Sequence, residues 1–253
     1  MISLAIMSGS ESDAFYQDGF VKRKAILIGN TTGLPGVKHD IERFGRFLQS
    51  NRGGAWLPAE MQVMIRPPIA ELKNVVAQTR LSRPDYLIVL FSGHGGYLRS
   101  TQLQINRSPS ELIDERELQE LAPRQLNIYD CCRDLMTESL QKSESVFAAL
   151  SLDSAYGVRQ KYDDRIMQAA EQQASLYSCS VGESSIDTGE GALYLTELLA
   201  SARTVTHSNP FLTVGEAHEY AIEQLEKKKA TQNPDSRLGK FLTSRQLILA
   251  MNP

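Results

Sequence analysis

A histidine set among glycines and a cysteine with a cysteine neighbour are the residues of this sequence best suited to catalysis. His94 lies in Ser-Gly-His-Gly-Gly, directly after the apolar run at 85–91, and Cys132 comes soon after the apolar run at 125–129. A thiol is a strong nucleophile only as its thiolate, and a nearby imidazole takes the thiol proton or stabilises the anion. The pair therefore predicts acyl transfer through a thioester intermediate.

The glycines beside His94 predict a second part of this chemistry. Gly93, Gly95 and Gly96 have no Cβ, so the backbone here can bend sharply and come close to a substrate. The backbone N–H of Gly95 is predicted to donate to the oxyanion that forms when a carbonyl is attacked.

Apolar runs and helical spacing predict the elements that position these residues. Strands are predicted at 24–29, 61–65, 85–91, 125–129 and 174–179, with a last one within 241–251. Helices are predicted around 41–48 and at 69–80, 115–121, 192–202 and 214–229. Strands that alternate with helices predict a mainly parallel α/β sheet. Catalytic groups gather at the carboxyl edge of such a sheet, so we expect His94 and Cys132 to meet there.

The remaining segments predict the domain organisation. Residues 1–20 have no sustained period and are expected to be a mobile lead-in. Residues 21–253 are expected to form a single domain. Within it, residues 133–170 are charged and weakly periodic, which predicts a linker with one or two loose helices between the fourth and fifth strands.

Composition narrows the class of protein. The chain has 253 residues, 27 basic against 30 acidic side chains and 42% hydrophobic residues, which is typical of a soluble globular protein. The small negative net charge disfavours nucleic-acid binding, and no apolar run is long enough for a membrane span. Three cysteines and no signal peptide pattern predict a reducing, cytoplasmic location.

Several motifs together resemble a known family. Ser92-Gly-His-Gly95 and Asp130-Cys-Cys132, each after a strand, are similar to the paired active-site motifs of the caspase fold, especially its metacaspase and prokaryotic branch. The segments 24–30 and 36–43 resemble that family's first strand and the helix behind it. The resemblance implies a caspase-like three-layer fold, in which a mostly parallel sheet of about six strands has helices on both faces.

The resemblance also implies roles for single residues. His94 corresponds to the catalytic base and Cys132 to the nucleophile, while alternation along the chain turns Cys131 toward the interior. Asp40 and Asp130 match the acidic pocket that binds the side chain before the scissile bond, so cleavage after Arg or Lys is implied. The sequence departs from metacaspases at Arg133 and Asp134, where that branch usually has His-Ser-Gly.

The same resemblance predicts how the activity is regulated. It implies protein substrates, no cofactor or metal for the chemistry, and a regulated effector role in a prokaryotic defence or cell-death system. A nucleotide signal, calcium or a sensor protein would be the activator. Related enzymes are cut in the linker after the nucleophile, so self-cleavage is predicted at Arg159, Lys161 or Arg165.

Two other functions stay open at this level. Gly29, Gly33 and Gly36 lie between a strand and a helix, as in a nucleotide-binding regulatory domain, although their spacing is not that of a dinucleotide-binding motif. The altered residues after Cys132 also fit a catalytically inactive caspase-like scaffold. A zinc site is not predicted, since the chain has no Cys-x2-Cys pair.

Overall fold

The computed structural model describes residues 21–135 and 156–253. The lead-in predicted for residues 1–20, and the part of the predicted linker at 136–155, lie outside the described residues. The strands are β1 (Arg23–Gly29), β2 (Met61–Ile65), β3 (Tyr86–Ser92), β4 (Gly95–Tyr97), β5 (Thr101–Gln104), β6 (Leu112–Asp114), β7 (Arg124–Asp130), β8 (Gln172–Tyr177), β9 (Phe211–Thr213), β10 (Asp235–Arg237) and β11 (Ile248–Met251). The α-helices are α1 (Gly36–Gln49), α2 (Ile69–Ser82), α3 (Tyr156–Gln168), α4 (Leu193–Ala200) and α5 (Val214–Lys227). Short 3₁₀ helices lie at Pro58–Glu60, Glu115–Leu118, Ser201–Thr204 and Thr243–Arg245.

A six-stranded sheet in the order β10-β8-β7-β3-β1-β2 forms the centre of the fold. Its pairs are parallel except for β10, which runs antiparallel to β8 at one edge. All seven residues of β3 are buried, as expected for a central strand covered on both faces. The prediction of a caspase-like α/β fold with a mostly parallel sheet is confirmed.

Two hydrophobic clusters cover the two faces of this sheet. Neighbouring residues of β1 point to opposite clusters: Leu27 packs with Phe44 and Tyr162, and Ile26 packs with Leu72. The first cluster also takes residues from α3, α4 and α5, while α2 covers the second face. Helices therefore lie on both faces, and the loops at the carboxyl edge of the sheet carry His94 and Cys132.

The structure corrects several predicted elements. The last strand, β11, pairs with β9 in a separate two-stranded sheet, and β10 is the sixth strand of the main sheet. The helix predicted at 115–121 is a 3₁₀ turn, and β4, β5 and β6 form an antiparallel sheet in a stretch that showed no clear period. Within the predicted linker, 156–168 forms α3, in line with the one or two helices expected there, but this helix is not loose: its Tyr162 and Ile166 are fully buried in the first cluster.

Candidate active site

The register between β3 and β7 sets the geometry of the site. Ser92 and Asp130 are Cα partners at the ends of these adjacent parallel strands, and the N–H of Gly93 donates to the carbonyl of Asp130 at 3.1 Å. His94 and Cys132 each follow two residues later, so both emerge at the same carboxyl edge. The structure therefore places the loops that carry these two residues side by side.

Gly95 is the point where the two loops touch. A Cβ added at this position would lie 2.7 Å from Cys131 Sγ and 2.9 Å from the carbonyl oxygen of Cys132. Such distances are far below van der Waals contact, so any side chain here would push the histidine loop away from the nucleophile loop. The glycine that was predicted as an oxyanion donor thus also permits the close approach of the two loops.

The His94 ring is oriented by a backbone group. Its Nε2 forms a short hydrogen bond with the carbonyl oxygen of Thr32. A carbonyl can only accept, so this contact assigns the proton to Nε2 and leaves Nδ1 with a free lone pair. A neutral His94 in this tautomer can act as a base through Nδ1.

The loop that presents Thr32 is fixed by a buried asparagine. Asn30 is fully buried; its Nδ2 donates to the carbonyls of Gln104 and Asn106, and its Oδ1 accepts from the N–H of Thr32 at 3.2 Å. Sequence reasoning missed Thr32, because a backbone carbonyl leaves no mark on residue type. Asn30, directly after β1, was the available signal.

The three cysteines differ in their surroundings. Cys131 and Cys179 are buried, and Cys131 packs into the second hydrophobic cluster as its predicted alternation requires. Cys132 is partly exposed, and its Sγ lies 3.9 Å from the carbonyl oxygen of Ser185. Burial raises the pKa of Cys132. A thiol with a raised pKa is protonated at neutral pH, so it needs a base such as His94 to become a nucleophile.

Asp40 and Asp130 are buried together below these loops. Burial raises the pKa of Asp40 to about 6. Burial, and then the charge of neighbouring Asp40, raise the pKa of Asp130 to about 7. The structure therefore pairs the two carboxyl groups that the resemblance assigned to substrate binding. Two carboxylates so placed favour an incoming cation, because a positive charge relieves both the desolvation and the mutual repulsion.

Groups of the chain itself satisfy both carboxyl groups in this structure. Asp40 accepts from the hydroxyl of Ser92 at 2.8 Å and from the N–H of Ala192 at 2.9 Å. Asp130 accepts from the hydroxyl of Ser185 at 2.7 Å and from the N–H of Leu195 at 3.2 Å. Asp40 is 1% exposed and Asp130 is 3% exposed, so any ligand group that reached them would have to displace some of these donors.

Residues 180–192, which we call the strap, supply two of these four contacts, those of Ser185 and Ala192. Further contacts hold the strap in place: among them, the hydroxyl of Ser184 donates to Asp134, the N–H of Ile186 donates to Gln232 at 2.9 Å, and Asp187 accepts from the N–H of Gly36. Sequence reasoning missed the strap, because its serines and glycines have no periodicity and are typical of any surface loop.

The contact between Asp187 and Gly36 bears on the nucleotide-binding alternative. A phosphate would bind at the N-terminus of α1, where backbone N–H groups are free of helical partners. The Asp187 carboxylate occupies this position instead, and a Cβ on Gly36 would lie 1.8 Å from its oxygen. Gly29 faces apolar side chains of Ile65, Ile41 and Val37. These two glycines therefore serve packing within the chain.

The residues predicted for self-cleavage lie in α3, away from these loops. Arg159 forms ion pairs with Glu60 and Asp163, the ammonium of Lys161 donates to a backbone carbonyl at 2.7 Å, and Arg165 donates to another at 2.9 Å. A peptidase generally binds its substrate as an extended chain. Cleavage at any of the three would thus require α3 to unfold first.

The part of the chain that the structure describes holds neither a metal-ligand cluster nor a membrane-spanning helix. Within residues 21–135 and 156–253, no three His, Cys, Asp or Glu side chains cluster in a way that would hold a metal ion. In the same ranges, no helix has the length and apolar character needed to cross a bilayer.

Comparison with known proteins places this geometry in a family. Residues 22–240 match the caspase domain. Among solved structures, caspase-1 from Spodoptera frugiperda is similar with a TM-score of 0.58 and 14% identity, covering 98% of this chain and 98% of that one. A protein of Geobacter sulfurreducens is similar with a TM-score of 0.55 and 14% identity, covering 90% of this chain and 99% of that one. No curated protein gave a significant match.

The match of the caspase domain runs from the start of β1 to beyond β10, so it includes both loops of the site and the acidic pair. The fold of the two solved structures agrees with it. The chain therefore belongs to the caspase-domain family of peptidases.

Proposed function

We propose that this protein is a cysteine endopeptidase that cleaves after Arg or Lys by means of a Cys132–His94 dyad. The observation that supports the proposal is the register of β3 and β7: His94 and Cys132 each follow two residues after the Cα partners Ser92 and Asp130, and Ser92 also contacts Asp40. Protein substrates follow from the caspase domain, and the basic side chain follows from the two buried carboxyl groups.

The reaction follows from the assigned proton positions. Nδ1 of His94 takes the thiol proton of Cys132, and the thiolate attacks the carbonyl carbon of the scissile peptide. The N–H groups of Gly95 and Cys132 donate to the oxyanion. The imidazolium then protonates the leaving amine as the C–N bond breaks, which leaves a thioester on Cys132. Water, deprotonated by His94, hydrolyses the thioester and returns the thiol.

The acidic pair selects the substrate by charge. A guanidinium carries several donors in a fixed plane and can engage carboxylates in a bidentate way. When it enters, it replaces the Ser185 hydroxyl on Asp130 and lowers the pKa values of both carboxyl groups. An acidic side chain in the same place would add a third negative charge to a buried site.

We expect the purified protein to cleave fluorogenic peptides that end in Arg or Lys, and to leave matched peptides that end in Asp or Ala uncut. The discrimination against Asp should exceed about 100-fold in kcat/KM, because an unpaired buried charge costs several kcal/mol. Initial rates on a panel that varies only this residue provide the measurement. A preference for Asp would contradict the role of the acidic pair.

We further propose that the activity is regulated, in an effector role of the defence or cell-death type. The strap supports this proposal, because its Ser185 hydroxyl and its Ala192 N–H donate hydrogen bonds to Asp130 and Asp40 and so compete with a substrate side chain. The same peptide panel should be run with calcium, with nucleotides and without additions, to find an activator. Silence under every condition, combined with a Cys132 that resists alkylation, would favour the scaffold alternative.

We expect kcat/KM for an Arg peptide to rise with pH between about 5 and 8. Both carboxyl groups must be ionised to bind the guanidinium, and their pKa values of about 6 and about 7 lie in this window. The pH dependence of kcat/KM reports groups of the free enzyme. Each carboxyl group that must lose a proton adds up to one to the slope of log kcat/KM against pH. Below pH 6 both groups are mostly protonated, so together they should add nearly two to this slope. Steady-state rates over this range check the profile.

A stability measurement gives a second readout of the same pair. Raised pKa values mean that the folded state holds these protons more tightly than the unfolded state, so the pair destabilises the fold as pH rises from about 4 to 7. The Asp40→Asn variant should flatten both the stability curve and the acid limb of the rate profile. An unchanged acid limb in that variant would show that another group controls the profile.

A further inference from the structure

Arg133, the residue directly after the nucleophile, is buried inside the protein. It is 1% exposed and among the largest fully buried side chains of the described residues. A buried guanidinium is costly unless its charge and its donors are satisfied. Its surroundings therefore indicate what the chain gains by placing it here.

The side chain of Arg133 connects the nucleophile loop to the edge of the sheet. Its Nη1 donates to Asp235 Oδ2 at 3.0 Å and to the carbonyl of Cys179 at 3.2 Å. The guanidinium lies over the ring of Tyr177 with 4.1 Å to the centroid, within the range of a cation–π contact. We call Arg133, Tyr177 and Asp235 the arginine clamp. Two of its members lie on β8 and β10.

The clamp is itself held firmly. The hydroxyl of Tyr177 donates to the carboxylate of Glu115 at 2.6 Å, and Glu115 is fully buried. Asp235 and Tyr177 are also Cα partners in the β8–β10 pairing. The ring and the carboxylate that bind Arg133 are thus fixed by the sheet and by a buried side chain.

The backbone of Arg133 connects the clamp to the strap. Its N–H donates to the carbonyl of Glu183 at 2.9 Å, and its carbonyl accepts from the N–H of Gly182 at 2.9 Å. The strap carbonyl that contacts Cys132 Sγ, that of Ser185, lies two residues beyond Glu183. The position of the Arg133 peptide therefore affects both the direction of the thiol and the position of the strap.

We infer that Arg133 is a positioning residue that orients Cys132 by fixing its peptide against the strap and β10. The inference rests on the proposed function, in which Cys132 is the nucleophile. It assigns a role to the residue at which the sequence departs from the usual metacaspase motif. Because Asp235 lies on a short edge strand, the same contact makes the nucleophile sensitive to the placement of β10.

Two measurements on the Arg133→Met variant test this role. Without the clamp, the Cys132 loop should open more readily, so alkylation of Cys132 by iodoacetamide should become about threefold faster or more. Peptide hydrolysis should lose about tenfold or more in kcat with little change in KM, because a misplaced nucleophile affects the reaction more than substrate binding. Tandem mass spectrometry separates labelling of Cys132 from that of Cys131.

Two further variants complete the test. Asp235→Asn keeps the shape of the side chain but removes the negative charge that pairs with Arg133. It should therefore also speed the alkylation of Cys132 and lower kcat. This variant tests the inference if Arg133→Met does not fold. Arg46→Met is the control: Arg46 is exposed on α1 and pairs with Glu42 of the same helix, so its loss should leave Cys132 labelling unchanged.

The alkylation arm separates this inference from the proposed function, because it needs no substrate. If the wild type cuts no peptide but Cys132 labelling accelerates in Arg133→Met and Asp235→Asn alone, the positioning role stands without the peptidase. If Cys132 labelling in both variants stays within about twofold of the wild type, the inference is wrong.

Discussion

The Cys132→Ala variant should hydrolyse no peptide, with a loss in kcat of about 10⁴-fold or more, as is usual when a catalytic nucleophile is removed. No other thiol can replace it, since Cys131 and Cys179 are both buried. Burial raises the pKa of Cys131 well above its ordinary value, so that thiol stays protonated and unreactive. Hydrolysis of an Arg peptide by the purified variant gives the measurement.

The neighbouring cysteine provides the control for this experiment. Cys131→Ala removes one buried sulfur from the second hydrophobic cluster, which should cost about 1 kcal/mol of unfolding free energy. Its kcat should stay within about threefold of the wild type. If Cys131→Ala is inactive and Cys132→Ala keeps its activity, the assignment of the nucleophile is reversed.

The second large effect is expected from Asp130→Asn. The amide keeps the shape of the side chain and an oxygen that can accept from the Leu195 N–H, but it removes the charge that pairs with a guanidinium. Breaking a buried charge pair costs about 2–5 kcal/mol, so kcat/KM for an Arg peptide should fall by about 100-fold. Most of the loss should appear in KM, because the contact exists in the bound substrate before any bond is broken.

A carboxylate on the same loop serves as its control. Asp134 is exposed and contacts the hydroxyl of Ser184 in the strap. Asp134→Asn should therefore change kcat/KM by no more than about threefold, as is typical of surface charges. Equal losses in the two variants would mean that general negative charge near the site, and not the buried pair, attracts the substrate.

The main strands, and the meeting of the His94 and Cys132 loops at one sheet edge, were predictable because they rest on strong local signals. The apolar run at 85–91 has the composition of a buried strand. The glycines around the histidine that follows it indicate a backbone that a residue with a Cβ could not adopt without a clash. Once two such strands pair in parallel, the residues beyond their ends must be neighbours. The register of Ser92 with Asp130 is a consequence of this.

Other parts of the fold depend on long-range contacts that leave little local pattern. The edge strand β10 has the sequence Asp-Ser-Arg, which is polar throughout, and it forms only because β8 offers an open edge. Helix α3 was expected only as a loose helix within a linker, because this stretch is highly charged. Its Asp163 forms a buried ion pair with Arg23 at the start of the sheet, and its Arg159 pairs with Glu60.

The candidate site shows the same division. Asp40 and Asp130 followed from the family resemblance, but their burial and their internal partners did not, since Ser185 and Ala192 are more than fifty residues from either carboxylate in sequence. The carbonyl of Thr32 and the clamp around Arg133 depend on backbone position and on side chains from four separate elements. Such features are determined by packing and cannot be read from spacing.

The strap has a consequence for how strictly substrates are chosen. Its Ser185 hydroxyl is tethered beside Asp130, so it competes with every incoming side chain at a high effective concentration. A neutral side chain offers Asp130 no more than this hydroxyl already provides and cannot displace it. A cationic side chain adds charge pairing and can. The strap would then act as an internal competitor that sets a minimum affinity for productive binding and excludes weakly bound sequences without any direct clash.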